Sequence, residues 1–168
     1  MTDVVAPLRV EAWAVRGRRI GMGARTAPAG DGPLVIAGLC GAIDPALRPG
    51  DLVVAGELRG DGEPLSCAAD LAAALGARVG PIVSLDHVAS RAEKLALRET
   101  GALAVDMESY WLARSAGDRP VAVVRAVVDR ADRRLLDPRT IPAGIAGLRA
   151  LRRAAPCLGQ WSPVMSRS

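Results

Sequence analysis

The length of 168 residues predicts a single domain that spans residues 1–168 and has one sizeable core. Half of it is hydrophobic, but in blocks far shorter than the roughly 18 apolar residues that cross a bilayer. We therefore expect no membrane insertion and, without a signal-peptide pattern, a cytoplasmic location. The net charge of +4 does not indicate a nucleic-acid partner, because the basic residues are dispersed arginines and aromatic residues make up only 2%.

The first half of the chain alternates strand patterns with helical ones. Continuous apolar runs are typical of strands buried on both faces of a sheet. The two glycines of the turn Gly38-Leu39-Cys40-Gly41 allow the backbone to approach a ligand closely. The predicted elements are strands at 4–5, 19–22, 33–39 and 52–55, and helices over 11–15 and 68–75, the latter ending at Gly76.

The second half continues this alternation, and Ser90 with Glu93 forms a capping-box pattern at the start of a helix. The predicted elements are strands over 80–85, 102–105 and 120–128, helices over 91–99, 107–115 and 143–155, and a loose tail after about residue 156. This order predicts an α/β fold. We expect a three-layer α/β/α sandwich around a mostly parallel, mixed central sheet.

The cysteines and the histidine indicate neither a disulfide framework nor a metal site. Cys40, Cys67 and Cys157 are odd in number and widely spaced, as expected of free thiols in a reducing compartment. His87 is the only histidine, so a Cys/His zinc site would need ligands from scattered positions. We expect no metal ion and no cofactor.

Polar side chains gather where two of the predicted strands end. The sequence VDMES leads from a strand into a helix, and a carboxylate on such a turn is well placed to bind ligand hydroxyls. Arg125 lies inside the longest apolar run, where a buried charge needs a partner such as Asp106 or Glu108. Asp129 and Asp132 follow that run. Taken singly, Glu108 is also typical of a helix N-terminus, and the two later aspartates are typical of a turn.

Two blocks of the sequence resemble the nucleoside phosphorylase and nucleosidase superfamily. Residues 104–132 contain VDMES and end in RAVVDRAD, which is similar to the family's VDMES or VDMEA strand and its RxxSDxAD strand. GLCGAIDPALRPGDLVVA resembles the family's glycine turn, GxxGxLDPxLxxGDLVV. The matching blocks span roughly residues 34 to 134 in the same order, and they look most like the hopanoid-associated phosphorylase branch.

This resemblance implies a role for four residues. Glu108 would accept hydrogen bonds from ribose hydroxyls, with Met107 packed against the sugar. Asp129 would be the general acid that protonates N7 of a departing purine, which requires a carboxyl that keeps its proton near neutral pH. Glu11 stands where hydrolytic members carry the carboxylate that activates water, although it also fits an ordinary position on a helix face.

The chain departs from the family at positions that bind phosphate. One phosphorolytic branch binds phosphate at positions that are the apolar Ile36 and Leu39 here, which favours water as the second substrate. Arg25, Gly23 and Gly38 are the predicted anion contacts that remain, with a solvent-exposed turn arginine as the alternative for Arg25. The segment between the turn GMGAR, residues 21–25, and the strand at 33–39 is also too short for the helix that relatives place there.

The base pocket is the least recognisable part of the sequence. Val128 replaces the serine that orients the acid in many relatives. The loop SLDHVAS offers His87 in place of an aromatic residue, although a lone histidine is also typical of a surface position. Tyr110 or Trp111, which follow Glu108, would line the pocket. We therefore predict base contacts from His87, Val128 and Tyr110.

These observations predict a nucleosidase that hydrolyses the N-glycosidic bond of a purine-type nucleoside or an adenosylated compound. One alternative is a phosphorylase, including the hopanoid-associated type, with phosphate as co-substrate. Another is a catalytically silent nucleoside-binding homologue. Relatives commonly form dimers or larger rings, so the resemblance also implies a homo-oligomer.

Overall fold

The computed structural model describes residues 1–129 and 141–163, and Asp132 lies outside them. The described residues form eight strands and five helices. In chain order these are β1 (Asp3–Ala6), α1 (Arg9–Val15), β2 (Arg18–Arg19), β3 (Leu34–Ala42), β4 (Leu52–Arg59), β5 (Leu65–Ser66), α2 (Leu71–Leu75), β6 (Arg78–Ser84), α3 (Arg91–Glu99), β7 (Ala104–Asp106), α4 (Ser109–Ser115), β8 (Val121–Asp129) and α5 (Ile141–Gly159).

The strands form one mixed sheet, which confirms the predicted α/β class. Parallel pairs join β2 to β1, β1 to β3, β3 to β8, β4 to β6 and β6 to β7. Antiparallel pairs join β3 to β7, β4 to β8 and β4 to β5. Five strands therefore close into a ring in the order β3, β8, β4, β6, β7 and back to β3. The mixed sheet with flanking helices is as the sequence predicted, and its closure into a ring brings several strand ends to one mouth.

Alternate residues of β3 face two different cores. Leu34 and Ile36 belong to one buried cluster together with Leu112 of α4. Val35 and Ala37 belong to a second cluster that includes residues of α1 and α5. A strand buried on both faces must be apolar on both, which explains the continuous run in its sequence. Flanking helices thus cover the sheet.

The structure confirms the helix start predicted at Ser90 and the helix end predicted at Gly76. The Ser90 backbone N–H donates to Glu93 Oε2 at 2.8 Å, and Ser90 Oγ accepts from the Glu93 N–H at 3.3 Å, as a capping box requires. Gly76 follows α2 with a φ of 60°, the left-handed conformation that glycine adopts without strain. None of the described helices has the length and apolarity needed to span a membrane.

The prediction of a loose tail after residue 156 is wrong for residues 157–163. Helix α5 continues through Pro156 to Gly159, because Leu158 and Trp161 pack into the core formed with α1 and α2. Trp161 is only 6% exposed, and its indole N–H donates to Asp70 Oδ1 at 3.0 Å. Burial of these apolar groups outweighs the helix-breaking tendency of the proline. Residues 164–168 lie outside the described part.

We expect Trp161→Ala to lower the free energy of unfolding by about 3–5 kcal/mol, because it removes a buried indole and leaves a cavity. Trp13→Ala is the matched control. Trp13 is 69% exposed and lies against the Arg152 guanidinium, so its loss should cost about 1 kcal/mol or less. Chemical denaturation measures both variants. Equal losses would contradict the docked position of the C-terminal segment.

Candidate active site

A cavity of about 260 Å³ opens where β1, β3, β7 and β8 end. Carboxyl ends of strands are the usual position of ligand sites in α/β folds. Most of the lining is apolar, which allows a ligand to be stripped of water. The described residues that line it are Pro7, Leu8, Glu11, Met22, Leu39, Cys40, Gly41, His87, Val88, Ala89, Lys94, Val105, Asp106, Met107, Glu108, Val128, Asp129 and Gly144.

The Arg125 guanidinium lies fully buried beneath this cavity. Its Nη2 contacts Asp106 Oδ2 at 2.6 Å, and its Nε and Nη2 donate to Ser109 Oγ at 3.1 and 2.8 Å. Ser109 Oγ in turn donates to Asp106, and Ser84 Oγ donates to the other Asp106 oxygen at 2.5 Å. Of the two partners predicted for Arg125, Asp106 is thus the close one, and Glu108 lies farther away, at 3.5 Å.

Gly38 makes room for this guanidinium. A Cβ on Gly38 would lie 2.2 Å from Arg125 Nη1, closer than any real contact allows. Gly38 also pairs with Arg125 in the β3–β8 ladder. The glycine is therefore explained by the arginine beneath it, and this placement does not favour the anion contact predicted for Gly38.

Glu108 lies at the junction between β7 and α4 and is 4% exposed. Its Oε1 accepts from the Gly23 N–H at 2.8 Å. Burial raises the pKa of Glu108, and Arg125 and the Gly23 amide partly oppose this effect, whereas Asp106 and Glu11 add to it. Its carboxylate therefore sits in the cavity wall with lone pairs left for a ligand.

Asp129 ends β8, and both of its carboxyl oxygens accept hydrogen bonds. Oδ1 accepts from the Ala42 N–H at 2.9 Å, and Oδ2 lies 2.6 Å from Lys94 Nζ. The Lys94 and Asp129 side chains are only 3% and 1% exposed. Burial raises the pKa of Asp129, while Lys94 and the Ala42 amide oppose the rise.

Glu11, in the first turn of α1, reaches the same cavity. Its Oε2 accepts from the Leu8 N–H at 2.7 Å, and its Oε1 accepts from the Leu39 N–H at 2.9 Å. The side chain is 3% exposed, so the two amides hold it in one orientation. Each carboxylate oxygen can accept a second hydrogen bond, which leaves room for a water molecule.

The structure brings together most of the residues predicted for the site. Met107, Val128 and His87 line the cavity beside the three carboxylates. His87 is exposed and lies 2.6 Å from both Asp86 Oδ1 and Glu93 Oε1. The Asp86 hydrogen bond, followed by that of Glu93, raises the pKa of His87. His87 can therefore contribute positive charge at the mouth of the cavity.

The prediction for Tyr110 is wrong. Its ring is fully buried under Gly60, and its hydroxyl donates to the Glu63 carbonyl at 3.0 Å. The next residue, Trp111, also points away from the cavity, with its indole N–H on Asp61 Oδ1 at 3.1 Å. On a helix, successive residues differ by about 100° in direction, so the residues of α4 that follow Glu108 do not all face the cavity.

The two other residues predicted to bind an anion, Gly23 and Arg25, already contact other groups of the protein. The Gly23 N–H is used by Glu108, and the exposed Arg25 guanidinium lies 3.4 Å above the Trp111 ring. An anion contact there stays a prediction that this arrangement does not favour. The short segment at 20–33 contains no helix, as its length suggested, yet it still delivers Met22 and Gly23 to the cavity.

Sequence reasoning missed Lys94 as a site residue. It is the chain's only lysine, while all other fixed cations are arginines, and this exception was the available signal. Lys94 is also the only buried residue of α3. Residues 1–129 and 141–163 contain no group of three or more acidic, cysteine or histidine side chains placed to hold a metal ion.

The comparisons with known proteins support the fold. No family model matches the chain, and no curated protein does either. Among solved structures, a 5′-methylthioadenosine/S-adenosylhomocysteine nucleosidase from Helicobacter pylori is 17% identical, with a TM-score of 0.68 and coverage of 94% of this chain and 95% of that one. The corresponding nucleosidase of Campylobacter jejuni is 16% identical, with a TM-score of 0.70 and coverage of 94% and 98%.

Futalosine hydrolase of H. pylori is similar to the same extent. It is 18% identical, with a TM-score of 0.67 and coverage of 94% of this chain and 95% of that one. The chain is therefore an α/β protein whose strands end at a carboxylate-lined cavity. Its fold is that of these nucleosidases and this hydrolase, as the sequence resemblance predicted.

We expect Asp106→Asn to lower the free energy of unfolding by about 3–5 kcal/mol, because it leaves the Arg125 charge buried without its close counterion. Arg125→Met should cost a similar amount. In the double variant both charges are gone, so the loss should be well below the sum of the two. A double-mutant cycle by chemical denaturation measures this coupling, and strictly additive losses would show that the ion pair does not organise the site.

Proposed function

We propose that the chain is a nucleosidase that cleaves the N-glycosidic bond of a purine-type nucleoside or an adenosylated compound by hydrolysis. The observation that carries this proposal is the meeting of three buried carboxylates, Glu11, Glu108 and Asp129, on one cavity. Cleavage of this bond builds positive charge on the sugar and negative charge on the base. A site for it needs an anion near the sugar and a proton source near the base.

Glu108 supports the sugar half of the proposal. A carboxylate held by the Gly23 amide keeps its remaining lone pairs directed at the ligand, where ribose hydroxyls can donate to it. Its negative charge also stabilises the oxocarbenium-like sugar of the transition state. Met107, which lines the cavity beside it, offers an apolar surface to the sugar ring.

Asp129 supports the leaving-group half. It lies at the end of β8 beside Val128, an apolar residue against which a base can pack. Burial raises the pKa of Asp129, which favours the protonated form that a general acid needs. Delivery of that proton to N7 of a purine neutralises the charge that develops on the departing base.

Glu11 completes the hydrolytic reaction. Its two oxygens are fixed by backbone amides, so a water molecule bound to a remaining lone pair would have a defined position. As water adds to C1′ of the sugar, Glu11 accepts one of its protons. The sugar gains a hydroxyl, and the base leaves with the proton from Asp129, so the reaction needs no cofactor.

The charges of the cavity favour water over phosphate as the second substrate. Its described lining carries four carboxylates, the Lys94 ammonium, which lies against Asp129, and His87 at the mouth, which is held between Asp86 and Glu93. A phosphate dianion placed among these carboxylates would be repelled, because charge repulsion is strong where water is excluded. Phosphorolysis therefore remains the alternative that this arrangement supports less well.

The proposal also includes a cytoplasmic location and a homo-oligomeric state. Cys40, Cys67 and Cys157 are all free thiols, which supports a cytoplasmic location, where thiols stay reduced. Helix α1 exposes Val10 and Trp13, 51% and 69% accessible, beside the cavity residue Glu11. Exposed apolar side chains of this size support a homo-oligomeric contact.

We expect the wild-type protein to release free base from adenosine, inosine or methylthioadenosine without phosphate. Asp129→Asn should lower kcat by about 10²- to 10⁴-fold, because it removes the acid. Glu108→Gln should lower kcat/KM by about 10- to 100-fold, because it weakens charge-assisted hydrogen bonds to the ribose. The matched control is Glu99→Gln, which changes an exposed carboxylate and should leave both constants unchanged.

Two outcomes would contradict the proposal. Base release that strictly requires phosphate would identify a phosphorylase. If calorimetry shows nucleoside binding to both wild type and Asp129→Asn, but neither turns it over, the chain is a catalytically silent homologue.

A further inference from the structure

The proposed function assigns no role to Lys94, which forms a buried ion pair with Asp129. An aspartate whose two oxygens both accept hydrogen bonds, one from an ammonium and one from the Ala42 amide, is arranged to hold negative charge. A general acid must hold a proton instead. The pair must therefore be considered together, because two strongly coupled groups gain and lose protons as a unit.

Helix α3 places Lys94 at the cavity. It is the only buried residue of α3, and its neighbour Leu95 is 52% exposed, whereas Leu97 packs partly buried against a small apolar cluster. Burial of an ammonium is costly unless it is paired, and Asp129 is its close partner. The capping box of Ser90 and Glu93 fixes the first turn of the helix, and with it the direction in which Lys94 points.

Gly41 allows the pair to lie directly on the backbone of β3. A Cβ at this position would be 3.1 Å from Asp129 Oδ1 and 3.2 Å from Lys94 Nζ, so a side chain would crowd both groups. Cys40, the neighbouring titratable group on β3, interacts electrostatically with both members. Burial raises the pKa of its thiol, which therefore stays neutral and does not compete for the proton. On α3 itself, Glu93 is engaged by His87 and the Ser90 amide.

We propose that Lys94 supplies, through Asp129, the proton that the departing base receives. This inference rests on the proposed function. When substrate fills the cavity and excludes water, a proton moves from Lys94 Nζ to Asp129 Oδ2, and the ion pair becomes a neutral amine and a neutral acid. As the bond from C1′ to the base nitrogen breaks, the Asp129 proton passes to the base. Lys94 then regains a proton from solvent, and Glu11 releases one to solvent.

The leaving group provides a selective test. Inosine needs a proton on its base as it departs, whereas 7-methylinosine already carries a positive, N7-alkylated base that leaves as a neutral molecule. Lys94→Arg should lower kcat for inosine by about 10²-fold or more, because the guanidinium keeps Asp129 ionised but does not release its proton. For 7-methylinosine it should change kcat by less than about threefold, since no proton transfer remains to be lost.

Lys94→Met separates proton supply from charge. It removes the cation, so burial favours a protonated Asp129 that can donate its own proton, and kcat for inosine should exceed that of Lys94→Arg. Arg91→Met, on the exposed face of the same helix, is the matched control and should behave as wild type with both substrates. Turnover of inosine by Lys94→Arg at the wild-type rate, or equal losses on both substrates, would overturn the proposal.

The single lysine also permits a test that does not depend on turnover. Lysine labelled with ¹³C at Cε gives one protein resonance, which reports the protonation of Lys94 directly as pH is varied. We expect Asp129→Asn to change the chemical shift of this resonance, because the ammonium loses the carboxylate that lies 2.6 Å from it. An unchanged chemical shift would refute the pairing of Lys94 with Asp129 on which the proposal rests. Wild-type protein that cleaves neither nucleoside would instead refute the proposed function itself.

Discussion

The burial of the Arg125 guanidinium is the constraint on which the rest of the site depends. A fully buried charge must be compensated, and Asp106 at 2.6 Å provides the counterion from the end of β7. The same guanidinium requires a glycine at position 38, and with Ser109 it ties the start of α4 to β8. Glu108, one residue before that helix, is thereby held at the cavity wall. One arginine thus fixes three chain segments at one place.

Around this constraint the cavity separates its charges. Arg125 is paired with Asp106 and lies 3.5 Å from Glu108, and Lys94 lies against Asp129, so a different cation lies near each of these two cavity carboxylates. Among the described residues, by contrast, only backbone amides donate hydrogen bonds to Glu11. Glycosidic cleavage needs such a division, because charge of opposite sign develops on the sugar and on the base.

The sequence predicted local features better than long-range ones. The strand and helix order and the Ser90 cap follow from patterns within short windows, and the structure agrees with them. The sequence also predicted a carboxylate partner for Arg125, but it did not distinguish Asp106 from Glu108. The closure of five strands into a ring depends on pairings between distant segments, which no local pattern contains. Tyr110 was misassigned because the direction of a side chain depends on exact helix phase. Lys94 was missed because its neighbours on α3 are mostly exposed, so nothing in the periodicity marked it as buried.

In the proposed complex, a nucleoside binds with its ribose at Glu108 and its base at Asp129. A crystal structure of the Asp129→Asn variant with adenosine tests this arrangement most directly, since the slowed reaction preserves the ligand. We expect ribose hydroxyl oxygens within about 3.2 Å of the Glu108 carboxylate and the N7 edge of the base facing residue 129. A ligand bound in the reverse orientation, or outside this cavity, would contradict it.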